Sequence, residues 1–232
     1  YNNKIRFYQA SSSEMYGEGK SKIKNEVSEF KPISPYAISK LYSYWMVKMY
    51  RNGYNLFASN GILFNHESPL RGLEFVTRKI SNGVAKISLG LSNSLKLGNL
   101  DAKRDWGYAP EYVEGMWKML QQKTSDDFVL ATNETHSVKE FVSEACKVAG
   151  VSTSKIKTDK RFLRPLDVQN LRGDYKKASK KLNWKPKTTF KNLVKIMVEE
   201  DINRWEKWLK KERQPWDAAM SGEDSNIISN TK

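Results

Sequence analysis

Apolar and polar positions alternate along the chain in a pattern that predicts strands and helices in turn. Short apolar runs bounded by polar turns predict strands at 4–10, 56–64, 94–98 and 127–132. Longer segments with apolar residues near helical spacing predict helices, at about 35–52, 75–89, 110–122, 137–148, 174–182 and 189–209. Because strands alternate with helices, we expect an α/β fold with a largely parallel sheet and a smaller helical lobe after about residue 133.

Local sequence signals support the ends of these elements. Ser34-Pro35 provides an N-cap and a first-turn proline for the helix at 35–52. Ser137 and Glu140 form a capping box at the start of another helix, which Gly150 closes. The polar segments between elements are predicted to be loops, at 17–31, 65–69 and 103–107. The polar tail at 214–232 is expected to be disordered.

Composition narrows the class of protein. The chain has 232 residues, 39% of them hydrophobic, so it can form a packed core. Its one cysteine, Cys146, cannot form an internal disulfide, which favours a reducing compartment and a cytoplasmic location. Two histidines and one cysteine argue against a zinc site, and we expect no metal. No apolar run is long enough to cross a membrane, and no signal segment is recognisable.

The net charge of +14 is concentrated in one region. Residues 155–195 contain 14 Lys and Arg against three acidic residues. Such a surface attracts polyanions, including nucleic acid, anionic lipid or a phosphorylated small molecule, although a solvated lysine face explains most of these residues equally well. Arg161 and Arg164 are more specific, because guanidinium groups favour bidentate phosphate contacts. No nucleic-acid-binding motif is recognisable, and we expect neither nucleic acid nor membrane as a partner.

Tyr36 and Lys40 stand four residues apart near the start of a predicted helix, so both side chains lie on one face. A lysine ammonium beside a phenol favours the phenolate, which can act as a general base. Ser12 and Glu14 follow the first predicted strand, at the edge where open α/β sheets bind ligands. Both pairs also have ordinary structural readings, as helix surface for Tyr36 and Lys40 and as turn residues for Ser12 and Glu14.

Five segments carry a resemblance to a known family: residues 8–17 (YQASSSEMYG), 34–40 (SPYAISK), 61–69 (GILFNHESP), 75–80 (FVTRKI) and 104–107 (RDWG). Together they resemble the GDP-mannose 4,6-dehydratases, which are extended short-chain dehydrogenases. The likeness runs from Lys4 to about Trp208. It implies the C-terminal part of a Rossmann-like parallel sheet flanked by helices, with a smaller mixed or helical substrate-binding lobe.

The resemblance implies a lyase that converts GDP-D-mannose to GDP-4-dehydro-6-deoxy-D-mannose by an internal NADP redox cycle, the first step toward GDP-fucose and other GDP-deoxyhexoses. Tyr36 would take the proton of the 4-hydroxyl, and Ser12 would hydrogen-bond the C4 oxygen. Glu14 would remove the C5 proton before water leaves from C6. Lys40 would hold the nicotinamide ribose and favour the Tyr36 phenolate.

The binding residues carry over in the same way. Tyr36, Lys40, His66 and Arg71 would contact NADP. Asn65, Lys79, Arg104, Arg164 and Asp167 would contact the GDP-sugar. Two of these have open alternatives: His66 as a loop histidine with a satisfied backbone bond, and Arg104 as a surface cation–π partner of Trp106.

Three positions differ between this sequence and related patterns. Ser12 stands where the family usually has Thr, which keeps the hydroxyl. Asp167 stands where the family usually has Glu, which shortens the arm. Ser13 stands where the thymidine-sugar dehydratases have Asp, and this difference favours the GDP-mannose branch.

The resemblance also implies a domain organisation. Residues 1–133 would be the remainder of a Rossmann-like NADP-binding domain, interleaved with substrate-lobe segments. Residues 134–213 would be mainly the sugar-nucleotide-binding lobe and closing helices, followed by the tail at 214–232.

No Gly-x-Gly-x-x-Gly turn follows a strand anywhere in the sequence, whereas the family has several βα units and this glycine turn ahead of the position of Tyr1. We therefore expect an exposed sheet edge at the first strand, and poor folding or self-association unless a partner chain supplies the N-terminal half. The full-length family implies a homo-oligomer, a dimer or a tetramer. The alternative function is a non-catalytic GDP-sugar-binding or subunit-interaction fragment that cannot hold NADP unaided.

Overall fold

The computed structural model describes residues 4–17, 19–162 and 170–212. The α-helices in these ranges are α1 (Pro35–Tyr54), α2 (Val76–Ser88), α3 (Ala109–Leu120), α4 (Val138–Ala149), α5 (Lys176–Leu182) and α6 (Phe190–Leu209). The strands are β1 (Arg6–Ser12), β2 (Phe57–Leu63), β3 (Asn65–Glu67), β4 (Leu95–Leu97), β5 (Lys103–Arg104), β6 (Trp106–Tyr108), β7 (Asp127–Leu130), β8 (His136–Ser137), β9 (Ile156–Thr158) and β10 (Asn170–Leu171).

The chain forms two compact units, each assembled from three segments. The first unit contains Tyr1–His66, Ala102–His136 and Leu166–Thr189. The second contains Glu67–Asp101, Ser137–Pro165 and Phe190–Lys232.

A parallel sheet with the order β1-β2-β7 is the centre of the first unit. Successive side chains of β2 and β7 point to opposite faces, and helices cover both faces, so both strands are almost wholly buried. Ile62 and Val129 belong to one buried cluster, whereas Leu63 and Leu130 belong to a second cluster. The register pairs Ser12 with Leu63, so β1 and β2 end at the same edge of the sheet.

A buried carboxylate fastens α1 to this sheet. Asp127, at the start of β7, accepts hydrogen bonds from the Tyr44 hydroxyl (3.0 Å), Arg51 Nη2 (2.5 Å) and Asn60 Nδ2 (2.9 Å). Burial acts to raise the pKa of Asp127, but the bonds from Arg51 and Asn60 bring it below its ordinary value. The helix that carries Tyr36 and Lys40 is therefore held in register with the strands.

Three helices form the core of the second unit. Helices α2, α4 and α6 pack on one another through buried side chains such as Ile80, Phe141 and Met197. The Trp205 indole N–H donates to Asn82 Oδ1 at 2.7 Å, which links α6 to α2 by a buried hydrogen bond. Strands β4 and β9 pair in parallel within this unit.

The predicted α/β class and the longer elements are confirmed, and helix ends agree to within about two residues, the usual tolerance for such boundaries. The Ser34 N-cap and the Ser137–Glu140 capping box are present as predicted. The loop predictions at 65–69 and 103–107 are partly wrong, because β3, β5 and β6 lie there. These strands have two or three residues and depend on distant partners, so no local periodicity reveals them. The predicted tail at 214–232 lies outside the described residues.

Candidate active site

The carboxyl end of β1 presents a buried serine hydroxyl and a carboxylate. Ser12 ends the strand, caps the short 3₁₀ helix Ser13–Tyr16 and accepts a hydrogen bond from the Glu14 backbone N–H at 3.2 Å. The interpretation of Ser12 as a turn residue is therefore confirmed by its hydrogen bond. It does not exclude a second role, because capping uses an oxygen lone pair and leaves the hydroxyl proton to donate. Glu14 is only partly buried, two residues beyond the strand.

The first turns of α1 carry Tyr36 and Lys40 side by side. Ser34 caps the helix by accepting from the Ala37 N–H at 3.1 Å. Lys40 Nζ lies 5.6 Å from the centre of the Tyr36 ring and donates to the Ala10 carbonyl of β1 at 2.9 Å. Ala10 precedes Ser12 by two residues, so this bond ties the pair to the strand that ends in Ser12. The Tyr36 side chain is 55% exposed and accessible to a ligand.

Asn65 and His66 follow β2 at the same edge of the sheet. His66 Nδ1 lies 2.8 Å from the Phe64 carbonyl oxygen, and its ring stacks on Tyr112 with centroids 5.0 Å apart. The structure therefore agrees with the alternative in which His66 is a loop histidine bonded to the backbone. The same bond fixes the orientation of its ring. Asn65 Oδ1 is buried and has no hydrogen-bond partner among the described residues, an arrangement that suits a ligand hydroxyl or N–H donor.

Arg104 lies in β5, next to a fully buried carboxylate that sequence reasoning missed. Asp105 accepts from Thr132 N–H and Oγ1 (2.7 Å each), Asn133 N–H (3.0 Å) and Gly173 N–H (3.1 Å). Burial raises the pKa of Asp105 to about 6, although these bonds act to lower it. The only signal in the sequence was its place inside the Arg-Asp-Trp-Gly segment. Trp106 is 3% exposed, and the cation–π alternative for Arg104 stays a prediction.

Arg71 and Lys79 belong to the second unit. The Arg71 guanidinium lies over the Phe75 ring at 3.5 Å, and its Nε is 3.2 Å from Glu67 Oε2. Burial raises the pKa of Glu67, and Arg71 acts to lower it. Lys79 Nζ lies over the Phe162 ring at 3.5 Å. Arg164 and Asp167 lie outside the described residues.

A family model described as GDP-mannose 4,6 dehydratase matches residues 1–197 of the chain. The chain belongs to this family. The GDP-mannose 4,6 dehydratases of Homo sapiens and Cricetulus griseus are each 50% identical to it over 220 residues, which cover 86% of this chain and 59% of theirs. GDP-mannose 4,6 dehydratase 1 of Arabidopsis thaliana is 51% identical over 199 residues, covering 85% of this chain and 55% of the relative. The chain thus spans between half and two thirds of the length of these curated relatives.

Solved structures of the same fold include nucleotide-sugar enzymes. RMD from Pseudomonas aeruginosa, complexed with NADPH, has a TM-score of 0.78 at 21% identity, covering 86% of this chain and 67% of that one. The dTDP-glucose 4,6-dehydratase of Bacillus anthracis, in complex with NAD, also has a TM-score of 0.78 at 21% identity, with 88% and 64% covered. These likenesses confirm the Rossmann-like fold class predicted from the sequence.

Across 4–17, 19–162 and 170–212, no group of three or more His, Cys, Asp and Glu side chains is arranged to hold a metal ion. None of the helices in that part of the chain combines the length and the apolarity needed to cross a membrane.

Proposed function

We propose that this chain carries the catalytic and sugar-nucleotide-binding residues of a GDP-mannose 4,6-dehydratase, which converts GDP-D-mannose to GDP-4-dehydro-6-deoxy-D-mannose. One observation carries the proposal beyond family membership. The Lys40 bond to Ala10 ties the Tyr36 helix to the strand that ends in Ser12 and Glu14. A base, a hydroxyl donor and a carboxylate are thereby collected at the carboxyl end of a parallel sheet, where such folds bind ligands.

Each of these side chains has a definite part in the chemistry. Tyr36, with Lys40 beside it, takes the proton of the sugar 4-hydroxyl as C4 is oxidised to a ketone. Ser12 donates to the C4 oxygen and stabilises the charge that develops there. The ketone acidifies the C5 proton, which Glu14 removes. That proton leaves with the C6 hydroxyl as water. Hydride would then add to C6 of the resulting alkene, and C5 would take a proton from solvent, balanced by the proton that Tyr36 releases.

NADP, when bound, supplies the redox chemistry by accepting hydride from C4 and returning it to C6. The described residues fit part of such a group. Lys40 and Tyr36 would hold the nicotinamide ribose, and the Arg71 guanidinium, stacked on Phe75, would pair with a phosphate. The sequence contains no glycine-rich turn after a strand to cradle the pyrophosphate, so we propose that additional polypeptide provides it.

The open edge of β1 supports the docking of that polypeptide against the first unit. In the first unit, β1 pairs only with β2 among the described strands, which leaves its other edge open to a further strand. An apolar groove of about 450 Å³ lies along it, lined by Phe7 of β1, Tyr42 and Met46 of α1, and Phe57 of β2. Ile5 and Phe7 are 63% and 49% exposed there. We infer that this groove receives the part of the relatives that the chain does not span.

A second surface supports a homo-oligomer. Ile38, Tyr42, Trp45 and Met49 of α1 are spaced by four, three and four residues, and each is exposed. This spacing forms an apolar stripe of the kind through which helices pair. The stripe and the groove at the β1 edge share Tyr42, so each is tested at a residue that the other does not contain.

Substitutions in the two surfaces should separate them. We expect the chain to elute above its monomer mass of 26.8 kDa in gel filtration with light scattering. Phe7→Lys should abolish association through the sheet edge, and Trp45→Glu should abolish pairing through α1, because each places a charge in an apolar contact. Ile23→Lys, on an exposed loop residue, is the matched control. A sharp monomer peak for the unaltered chain would contradict both surfaces.

The function itself is tested by mass spectrometry of the nucleotide sugar. Incubation of the chain with GDP-mannose and NADP should remove one water from the sugar nucleotide, either alone or after addition of the portion of the human relative that the chain does not span. Activity only after that addition would identify this chain as the catalytic part of a larger enzyme. Silence in both preparations would contradict the proposed chemistry and favour a GDP-sugar-binding fragment.

A further inference from the structure

A buried cluster of charged side chains joins α2 to α6 in the second unit. Arg78 of α2 is 4% exposed and Asp201 of α6 is 1% exposed. Arg78 Nε lies 2.9 and 3.0 Å from the two Asp201 oxygens, and its Nη2 lies 2.8 Å from Oδ1. Arg204 Nη1 approaches Asp201 Oδ1 at 3.3 Å, and Ser81 Oγ donates to Oδ2 at 2.5 Å. The carboxylate is therefore saturated by donors from both helices.

The same two arginines also contact a backbone segment. Both guanidinium groups share the carboxylate of Asp201, and Arg204 Nε lies 3.6 Å from Glu200 Oε1 on a partly exposed side chain. Both also donate to backbone oxygens of the segment between β3 and α2. Arg204 Nη1 donates to the Pro69 carbonyl at 2.6 Å. Arg78 Nη1 donates to the same carbonyl and to that of Arg71, the latter at 3.0 Å.

These backbone contacts hold the segment that carries the Arg71 side chain. The guanidinium of Arg71 is itself fixed by its stacking on Phe75 and by its ion pair with Glu67. Glu67 in turn accepts from Thr77 Oγ1 at 2.6 Å. Among the described residues, the two Nη atoms of Arg71 have no hydrogen-bond or ion-pair partner. The segment therefore presents a guanidinium, on a side chain that is 26% exposed, whose Nη atoms are not used by the described residues.

We propose that Arg204, together with Arg78 and Asp201, is a positioning element that holds the Pro69 and Arg71 carbonyls and so presents the Arg71 guanidinium to a phosphate. The proposal rests on the proposed function only in taking that phosphate to belong to NADP. A planar guanidinium binds phosphate through two parallel hydrogen bonds, so its orientation matters as much as its charge. Holding the segment before binding also reduces the entropy that binding must cost.

Hydrogen exchange tests, without any ligand, whether Arg204 holds the segment between β3 and α2 in place. Arg204→Met keeps an apolar stem on α6 and removes the donors, whereas loss of Arg78 or Asp201 would leave a buried charge unpaired. The Arg71 and Phe75 amides bond to Ser68 O (3.0 Å) and Gly72 O (3.2 Å) within the segment. Their exchange, read from peptides covering 67–75, should quicken about tenfold or more.

The matched control for exchange is Lys195→Met, which removes a positive charge from an exposed position of the same helix. It should leave the exchange of 67–75 unchanged. Unaltered protection of 67–75 in a folded Arg204→Met protein would overturn the proposal.

A double-mutant cycle on NADP affinity tests whether Arg204 affects binding through Arg71. By calorimetry, Arg204→Met should weaken NADP binding about 3- to 30-fold in the unaltered chain, but less than about twofold in an Arg71→Ala background. Arg204→Lys, which keeps one donor for the Pro69 carbonyl, should restore part of the affinity. Equal weakening in both backgrounds would show that Arg204 acts only on folding or elsewhere, and would refute positioning.

The failure of the proposed function gives a different result. If the unaltered chain binds no NADP, with or without the added portion of the human relative, that counts against the cofactor. The same double-mutant cycle is then measured on the affinity for pyrophosphate. Loss of coupling between Arg204 and Arg71 for pyrophosphate as well would overturn the positioning proposal, whereas retained coupling would support it for an anion other than NADP.

Discussion

Replacement of Glu14 by glutamine is expected to stop the loss of water from the sugar while leaving oxidation at C4 intact. The amide keeps the shape of the side chain at the end of β1 but cannot accept the C5 proton. General-base contributions of this kind are worth about 10²- to 10⁴-fold in rate. Mass spectrometry in deuterated water measures the effect, because the unaltered enzyme should introduce deuterium at C5 and Glu14→Gln should not.

Replacement of Tyr36 by phenylalanine should stop the reaction one step earlier. Without the phenol, no group at the start of α1 takes the 4-hydroxyl proton, so neither oxidation at C4 nor exchange at C5 should occur. The two variants are distinguished by cofactor fluorescence in a single turnover. A transient reduced nicotinamide is expected with Glu14→Gln and none with Tyr36→Phe.

Conservative changes elsewhere provide the controls for both variants. Glu206→Gln alters an exposed carboxylate on α6, and Tyr54→Phe alters an exposed phenol on the same helix as Tyr36. Both should retain full activity. Water loss at the normal rate in Glu14→Gln, or deuterium at C5 in Tyr36→Phe, would contradict the assigned roles.

The elements that carry these groups could be predicted from local sequence because their signals are local. Ser34-Pro35 specifies where α1 begins, and the largely apolar segment 56–64 specifies β2, so the positions of Tyr36 and of the end of β2 follow directly. Family membership depends on motifs that are contiguous in the chain, and it too was accessible. The α/β class required only the order of these elements.

What the sequence could not predict depends on contacts between distant segments. Asp105 accepts hydrogen bonds from residues 132, 133 and 173, which are distant in the chain. The residues next to Asp105 in the sequence do not indicate that its carboxylate is buried. Asp201 and Arg78 are 123 residues apart in the chain, and each reads as an ordinary charge on an amphipathic helix. Short strands such as β5 form because a partner is present, so their local sequence looks like a loop. Long-range polar networks of this kind therefore require the three-dimensional structure.

Asp105→Asn is expected to lower the free energy of unfolding by about 2–4 kcal/mol, measured by urea denaturation at neutral pH. The amide retains one oxygen, but its NH₂ group must face backbone N–H groups that the second carboxylate oxygen accepts in the unaltered protein. At least one buried donor of Thr132, Asn133 or Gly173 then has no acceptor. Asp101→Asn, at an exposed position nearby in sequence, is the control and should change little. Equal stability of Asp105→Asn and Asp101→Asn would mean that the four hydrogen bonds accepted by Asp105 do not stabilise the fold.

The same aspartate should also give the stability a characteristic dependence on pH. Its pKa is raised from 3.8 in the unfolded chain to about 6 in the fold by burial, so between these values the folded state binds more protons than the unfolded state. The pH-dependent part of the stabilisation by this group is therefore complete below about pH 4 and is lost as the pH rises through about 6, whereas the part that comes from the four bonds remains at neutral pH. Asp127, whose pKa is lowered, has the opposite effect, since its stabilisation is lost as the pH falls. The difference in unfolding free energy between the unaltered protein and Asp105→Asn removes that background, and it should shrink from pH 4 to pH 7. A difference that grows over this range would show that the four donors, rather than burial, control the ionisation of Asp105.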